Sequence, residues 1–313
     1  MAVLVATGTY TGTGSALSIT GLGLGGAPDV VFVKSAGAIE GRYRTSTLVG
    51  DLTFPLGNAL PIAGQITSLD SDGFSLGTSA IVNGSGTVHY YVALRDDGSG
   101  DLVCGTYTGD GVNGRTLSLP FTPALLMIKR GAGGTTGAAV FRVTPHTGDV
   151  TAFLLAAANV ANYIEALGTN SATLGDAQQV NANGSVYHYI AIRAGTPDFY
   201  VGSYVGDNTD DRNITVGAPP LFVTVKRQSA SAAVLRTDDF ADDSSATYAA
   251  AVAANLIQRF TTDGFQVGNS AETNGSNVNT YTWFAFTEPA AGIARLTEGK
   301  LNEGTLVGKG LVN

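Results

Sequence analysis

The chain has 313 residues, 17 basic and 25 acidic, with a formal charge of −8, which is room for two or three domains at roughly 100–200 residues each. Its acidity excludes the basic face that nucleic acid needs for counterion displacement, and a 44% hydrophobic content excludes disorder from lack of apolar surface. Only 13% of residues are charged and 42 are glycine, against about 25% and ~7% in average domains, a bias toward a β-rich surface protein and away from a metabolic enzyme.

At the amino terminus, Met1 to Gly8 lacks a basic n-region and its apolar stretch is too short for a signal peptide. Synthesis and retention in a cytoplasm are therefore expected. No run of 18 apolar residues follows, so membrane insertion is not expected. Cys104 stands alone, which excludes an intrachain disulfide and a cysteine-based zinc site.

From residue 8 onward the chain repeats itself. Gly8-Thr9-Tyr10-Thr11-Gly12 returns as Gly105-Thr106-Tyr107-Thr108-Gly109 and as Gly202-Ser203-Tyr204-Val205-Gly206, 97 residues apart each time. An apolar run opening on proline and closing on lysine follows: Pro28 to Lys34, Pro123 to Lys129 and Pro220 to Lys226. Next come Arg44, Arg142 and Arg236 on short segments. Ile66, Leu69, Asp72, Gly73, Phe74 and Leu76 match Ile257, Phe260, Asp263, Gly264, Phe265 and Val267, while copy two keeps Ile164, Leu167 and Leu174 but has Asn170-Ser171-Ala172 at the turn. Asn-Gly-Ser recurs at Asn83, Asn183 and Asn274, and each unit closes on Tyr91-Val92-Ala93-Leu94, Tyr189-Ile190-Ala191-Ile192 or Trp283-Phe284-Ala285-Phe286. A period this long marks small domains, not solenoid turns.

The apolar runs are short, rich in Val, Ile, Phe and Tyr, and bounded by turn residues, which is strand chemistry. The Pro-to-Lys runs are continuously apolar, as in strands buried on both faces. Asp72-Gly73 reads as a tight turn in which glycine supplies φ > 0, and Asn83-Gly84 and its counterparts read as hairpin turns. The Ala-rich stretches at 153–162 and 248–255 favour helix, yet Pro61 in copy one argues for a loop with at most one or two helical turns. The expected fold is all-β: three tandem antiparallel β-sandwich repeats of about 97 residues at 1–97, 98–195 and 196–289, arrayed as a stiff rod. Residues 290–313 form a C-terminal linker and arm, with Glu288-Pro289-Ala290-Ala291-Gly292 as the linker.

Chemistry is sparse. His89, His146 and His188 are the only histidines, and no nucleophile elbow, zinc helix or phosphate loop accompanies them, so they read as structural and no catalytic residue is expected. Acids concentrate in copy three, at Asp207, Asp210, Asp211, Asp238, Asp239, Asp242 and Asp243; a calcium ion is the alternative to plain solvation there. Tyr91, Tyr189 and Trp283 are candidate sugar-stacking platforms, but their recurrence favours packing. Lys34, Lys129 and Lys226, with Arg44, Arg142 and Arg236, read as ties for loops. Ligand contacts belong where the copies differ, in loops 11–24, 109–121 and 206–218 and in arms 36–44, 131–142 and 228–236. No cofactor and no metal is assigned, and the ligand-binding residues are not identified.

The combination of Gly-Thr/Ser-Tyr-x-Gly, the Pro-to-Lys strand, the Arg strand, Ser-Asp-Gly-Phe-x-Leu-Gly, Asn-Gly-Ser and an aromatic strand resembles repeat domains of bacteriophage virion appendages: tail-fibre and receptor-binding proteins and related head-fibre or head-spike proteins. The resemblance covers residues 8–287; copy two lacks Asp-Gly-Phe. It implies a non-enzymatic structural protein on the exterior of a phage or phage-like particle, assembled in the host cytoplasm. Other virion proteins, further copies of itself and host surface polysaccharide are the implied partners. A purely architectural component (capsid decoration, spike base or tail connector) and a capsule depolymerase are the alternatives.

Overall fold

A computed structural model describes residues 3–134, 137–275 and 278–287; the arm expected at 290–313 lies outside them. Copy one runs β1 (Val3–Thr11), β2 (Leu17–Thr20), β3 (Val30–Ser35), β4 (Arg42–Thr45), β5 (Leu52–Pro55), β6 (Ile62–Ala63), β7 (Ile66–Asp70), β8 (Gly73–Leu76), α1 (Ala80–Asn83) and β9 (Val88–Asp96). Copy two runs β10 (Leu102–Thr108), β11 (Arg115–Ser118), β12 (Pro123–Ala132), β13 (Val140–Val143), β14 (Ala152–Phe153), β15 (Ile164–Gly168), β16 (Ser171–Leu174), α2 (Gln178–Asn181) and β17 (Val186–Arg193). Copy three runs β18 (Phe199–Val205), β19 (Arg212–Thr215), β20 (Pro220–Arg227), β21 (Val234–Thr237), β22 (Ser244–Thr247), β23 (Val252–Ala254), β24 (Ile257–Thr261), β25 (Gly264–Val267) and β26 (Thr280–Thr287).

All strand pairs are antiparallel, and the same two sheets form three times. The large sheet has the order β1-β9-β3-β4-β5-β6 in copy one, β10-β17-β12-β13-β14 in copy two and β18-β26-β20-β21-β22-β23 in copy three. The small sheets are β2-β8-β7, β11-β16-β15 and β19-β25-β24. The Ala-rich stretches form no helix; residues 153–162 are the end of β14, bends and isolated bridges, and 248–255 contain β23. Tertiary pairing overrides alanine's local preference there.

The glycine–tyrosine motif has a packing cause. Gly8, Gly105 and Gly202 lie opposite Tyr91, Tyr189 and Trp283 in the strand register. A Cβ on any of these glycines would collide with the ring across from it. The motif's tyrosine then donates its hydroxyl to a carbonyl at the helical turn, from Tyr10 to Val82, Tyr107 to Val180 and Tyr204 to Thr273. Gly73 and Gly264 are required by close approach to the Ile19 and Ile214 carbonyls, and not by the positive φ expected from the turn. Copy two dispenses with that glycine and puts Asn170 in the left-handed region at φ 51°.

Strand alternation splits each large sheet between two cores. In copy one, Val31, Val33 and Ala93 face the small sheet, while Val3, Val5, Val30, Val92 and Leu94 enter a cluster common to all three copies. Leu126 and Ile128 against Leu125 and Met127, and Val223 and Val225 against Phe222, divide in the same way. The continuous apolar runs are thus buried on both faces, one by the module's own small sheet and one by its neighbours.

This common core replaces the expected rod by a closed ring. Ala139 N–H donates to the Leu56 carbonyl (2.8 Å), Ala233 to Leu154 (2.9 Å) and Gly41 to Tyr248 (2.9 Å). These are one bond at equivalent positions, joining copy two to one, three to two, and one back to three. A linear array would leave the third of these unmade and strand two apolar sheet faces in water, at about 25 cal/mol per Å².

Candidate functional site

The recurrent polar groups are spent on the fold. In each arginine both terminal nitrogens donate to loop carbonyls: Arg142 to His146 (3.2 Å), Gly148 (2.6 Å), Ile164 (3.2 Å) and Val150. Arg44 does the same with Leu48, Gly50, Leu52 and Ile66, and Arg236 with Phe240, Asp242, Ser244 and Ile257. Lys129 reaches into copy one, donating to Gly57 and Ala59 (3.0 Å) and to its own Gly137 carbonyl. Lys226 likewise donates to Ala157 of copy two (2.9 Å). Burial pushes the Lys129 and Lys226 ammonium groups down to about 7 and Lys34 to about 8, and among the described residues the three donate to carbonyl oxygens.

Asn83 ends α1 and pins the β1–β2 loop: its side-chain oxygen accepts the Thr13 amide at 2.8 Å, and its amide nitrogen donates to the Gly77 carbonyl. Asn181 and Asn274 repeat this with Asp110 and Asp207. The equivalent in copy two is therefore Asn181, two residues before the Asn183 matched by sequence, and Asn83-Gly84 is the end of a helical turn and not a hairpin.

His89 and His146 are buried and His188 is half-buried, and all three rings are neutral. His188 Nδ1 lies 2.7 Å from Thr47 Oγ1 of copy one, and His146 Nε2 3.1 Å from Thr282 Oγ1 of copy three. At the matching joint between copies three and one, Phe240 stacks on Tyr90 at 3.7 Å. Burial pushes His188 down to about 4 and His146 to about 3, the latter helped by Arg142 and Lys226. His89 is pushed to about 4 by burial and then by Lys34. None faces a nucleophile with an orienting acid. Tyr91, Tyr189 and Trp283 pack over glycines inside their modules, and Gly41, Ala139 and Ala233 of the three arms make the equivalent joint bonds of the ring.

The acids of copy three divide between local ties and one rim, Asp211, Asp242 and Asp243 lining the same cleft. Asp207 bonds Thr209, Asn274 and Arg212 and is pushed down to about 2, chiefly by Thr209. Asp238 accepts the Thr7 hydroxyl of copy one at 2.6 Å. Asp243 accepts the Asn255 amide. Among the described residues no three His, Cys, Asp or Glu side chains converge on a metal position.

One open cleft lies on copy three, lined by Asp211, Arg236, Asp242, Asp243, Gln258, Arg259 and Gln266. It encloses about 490 Å³, within the ~300–1,000 Å³ of small-molecule sites. Its floor is the outer face of β24 and β25, where Arg259 pairs with Gln266. Gln266 Nε2 donates to the Asp211 carbonyl at 3.0 Å, and Gln258 Nε2 donates to Asp210 Oδ1 at 3.0 Å. Asp211 and Asp242 hold the rim in left-handed conformations, φ 58° and 47°. The acidic residues of this segment were visible in sequence; the two glutamines were not, because only the strand register brings them to one face. No protein-family model matches the chain, and no curated protein matches it.

Proposed function

We propose that this chain is a non-enzymatic exterior protein of a phage or phage-like particle that attaches to host cell-surface polysaccharide. The observation that carries the reading is the division of labour in the repeat: the recurrent Arg, Asn and aromatic side chains are engaged in packing each module, and Lys129 and Lys226 in joining modules to one another. What remains for a partner is the variable outer surface, with its polar cleft, on a rigid platform. Sparse charge suits a neutral glycan coat, and several chains on one particle would raise weak contacts to useful avidity.

The test is adhesion of the purified chain, displayed multivalently on beads, to host cells and to their extracted polysaccharide. Adhesion that free polysaccharide competes away is the expected result; no adhesion at high display density overturns the reading. The same incubation reads out hydrolysis, and no new reducing ends are expected.

A second reading, an architectural component without ligand, is favoured by the ring itself, since a module with near-threefold repetition suits a seat on a symmetric particle. It predicts that deleting residues 290–313 releases the chain from assembled particles while adhesion to glycan is absent throughout.

A further inference from the structure

We infer that the copy-three cleft is the glycan contact itself, and that it takes neutral or amine-bearing sugars and turns away uronic acids; this rests on the attachment reading above. The three copies supply an internal control. Across the outer face of the small sheet, one row of neighbours reads Ser18-Ser75-Ser68 in copy one and Thr116-Thr173-Ala166 in copy two. In copy three the same row reads Asn213-Gln266-Arg259. The bulge residue beside it changes from Thr67 and Glu165 to Gln258, and the rim position from Gly50 and Gly148 to Asp242. Two copies hold the row with small side chains, and the bulge takes Thr67 as readily as Glu165, so the fold does not call for Gln266 and Arg259 or for a glutamine at 258.

Gln258 points to what the cleft lacks. Its side chain is 6% exposed, and its amide nitrogen sits between two acceptors, Asp210 Oδ1 at 3.0 Å and Asn255 Oδ1 at 3.3 Å. Those acceptors fix the amide orientation, because the flipped group would set oxygen against oxygen. Gln258 Oε1 is then a buried acceptor without a protein partner among the described residues. A sugar hydroxyl is a donor that also accepts, which matches this acceptor and the Arg259 donors that line the same cleft. The charge of the lining sets the class. Asp211, Asp242 and Asp243 stand against Arg236 and Arg259, and the Arg236 fork is already bonded to four carbonyls. Carboxylates pair with vicinal hydroxyls or an ammonium and repel a uronate.

The test is saturation-transfer NMR on the full chain with the methyl glycosides of galactose, glucosamine and glucuronate as probes. The comparison is the triple variant Gln258→Thr, Arg259→Ser, Gln266→Ser, which gives copy three the residues of copy one. Transfer to the galactoside and glucosaminide but not to the glucuronide is expected, with at least a tenfold loss in the variant at an unchanged melting midpoint. Equal transfer to the glucuronide, no transfer to any probe, or undiminished binding by a folded variant overturns the inference. Bead adhesion separates the two levels: a variant that still adheres to polysaccharide removes the cleft and leaves attachment standing, whereas a wild-type chain that adheres to nothing removes attachment.

Discussion

Replacing His89 by tyrosine, together with Thr87 by serine, copies into the first module what the second already carries. His89 stacks on Tyr10 at 5.1 Å and 14°; Tyr187 on Tyr107 and Tyr281 on Tyr204 do the same at 5.1 and 5.2 Å. The two phenols accept the Ala182 and Gly275 amides and donate to the Gln178 and Ala271 carbonyls, tying strand to helical turn. The imidazole is too short for this, and both its nitrogens are buried without a partner among the described residues. Thr87 Oγ1 lies 3.2 Å from where a Cβ on Gly84 would be, as Tyr281 Oη does from that of Gly275, so the threonine hydroxyl stands in the phenol's place; serine, without the β-methyl, can turn its hydroxyl away as Ser185 does toward the Gly133 carbonyl. Two hydrogen bonds at about 1 kcal/mol each predict a gain of about 1–2 kcal/mol at pH 7. Protonation adds a second handle. With His89 held at about 4 in the fold and ~6.5 when unfolded, its neutral ring contributes fully above pH 6.5 and that contribution is lost as pH falls toward 4. At pH 5 the loss is about 2 kcal/mol, which the tyrosine variant escapes, so its advantage should widen to about 3–4 kcal/mol. Urea unfolding at pH 7 and pH 5 reads both numbers. A variant no more stable than wild type at pH 7, or one whose advantage is the same at both pH values, refutes the reasoning.

His146 and His188 extend the same effect: with His89, the unfolded chain takes up about three more protons than the native one, so stability should fall by roughly 4 kcal/mol per pH unit near pH 5. His146→Leu, which imitates Leu48, should remove one proton from that slope in a pH series of urea midpoints; an unchanged slope speaks against it. Gly105→Ala drives a Cβ into the Tyr189 ring and should cost about 2–3 kcal/mol, with partial recovery when Tyr189→Leu is added, both read by thermal melts. Lys129→Met leaves the Gly57, Ala59 and Gly137 carbonyls without their ammonium donor and should cost about 3 kcal/mol. Hydrogen exchange at the Ala139 amide should speed up more than exchange at Ala233, whose joint does not include Lys129.

The repeat was legible because its landmarks are side chains that every module needs for its own packing. Gly8 leaves room for the Tyr91 ring, and Tyr10 and Tyr91 both pack on Phe74, so they recur together. The all-β antiparallel character followed from the same runs. Two local readings failed for lack of register. Asn183 matched the Asn-Gly-Ser string, but the residue that pins the loop is Asn181, and only the strand pairing around it distinguishes them. Gly73 was assigned to φ > 0 when the true demand is the Ile19 carbonyl pressed against it. Ring closure was hidden for a different reason. A strand buried by its own small sheet on one face and by a neighbouring module on the other leaves the same continuous apolar run as a strand inside one sandwich. The copy-three cleft was half legible: its aspartates stood out as a charge cluster, whereas Gln258 and Gln266 acquire meaning only when β24 and β25 lie side by side.

The joints of the ring carry a consequence for how the chain tolerates rearrangement. Each joint brings the same strand position, Tyr90, His188 or Thr282, against the neighbour's loop with a different partner: Phe240, Thr47 (beside Leu48) and His146. Exchanging the order of two modules would set His146 against Tyr90, Phe240 against His188 and Leu48 against Thr282, losing every present pair, so the sequence of copies is fixed. The starting point is not. Five residues, 97–101 and 194–198, bridge one module to the next, and the closing bond between Gly41 and Tyr248 makes the third junction equivalent to these two. A gene reopened at either bridge, with a five-residue connector from Thr287 to Val3, should yield the same closed body, whereas losing any one module would break the circle outright.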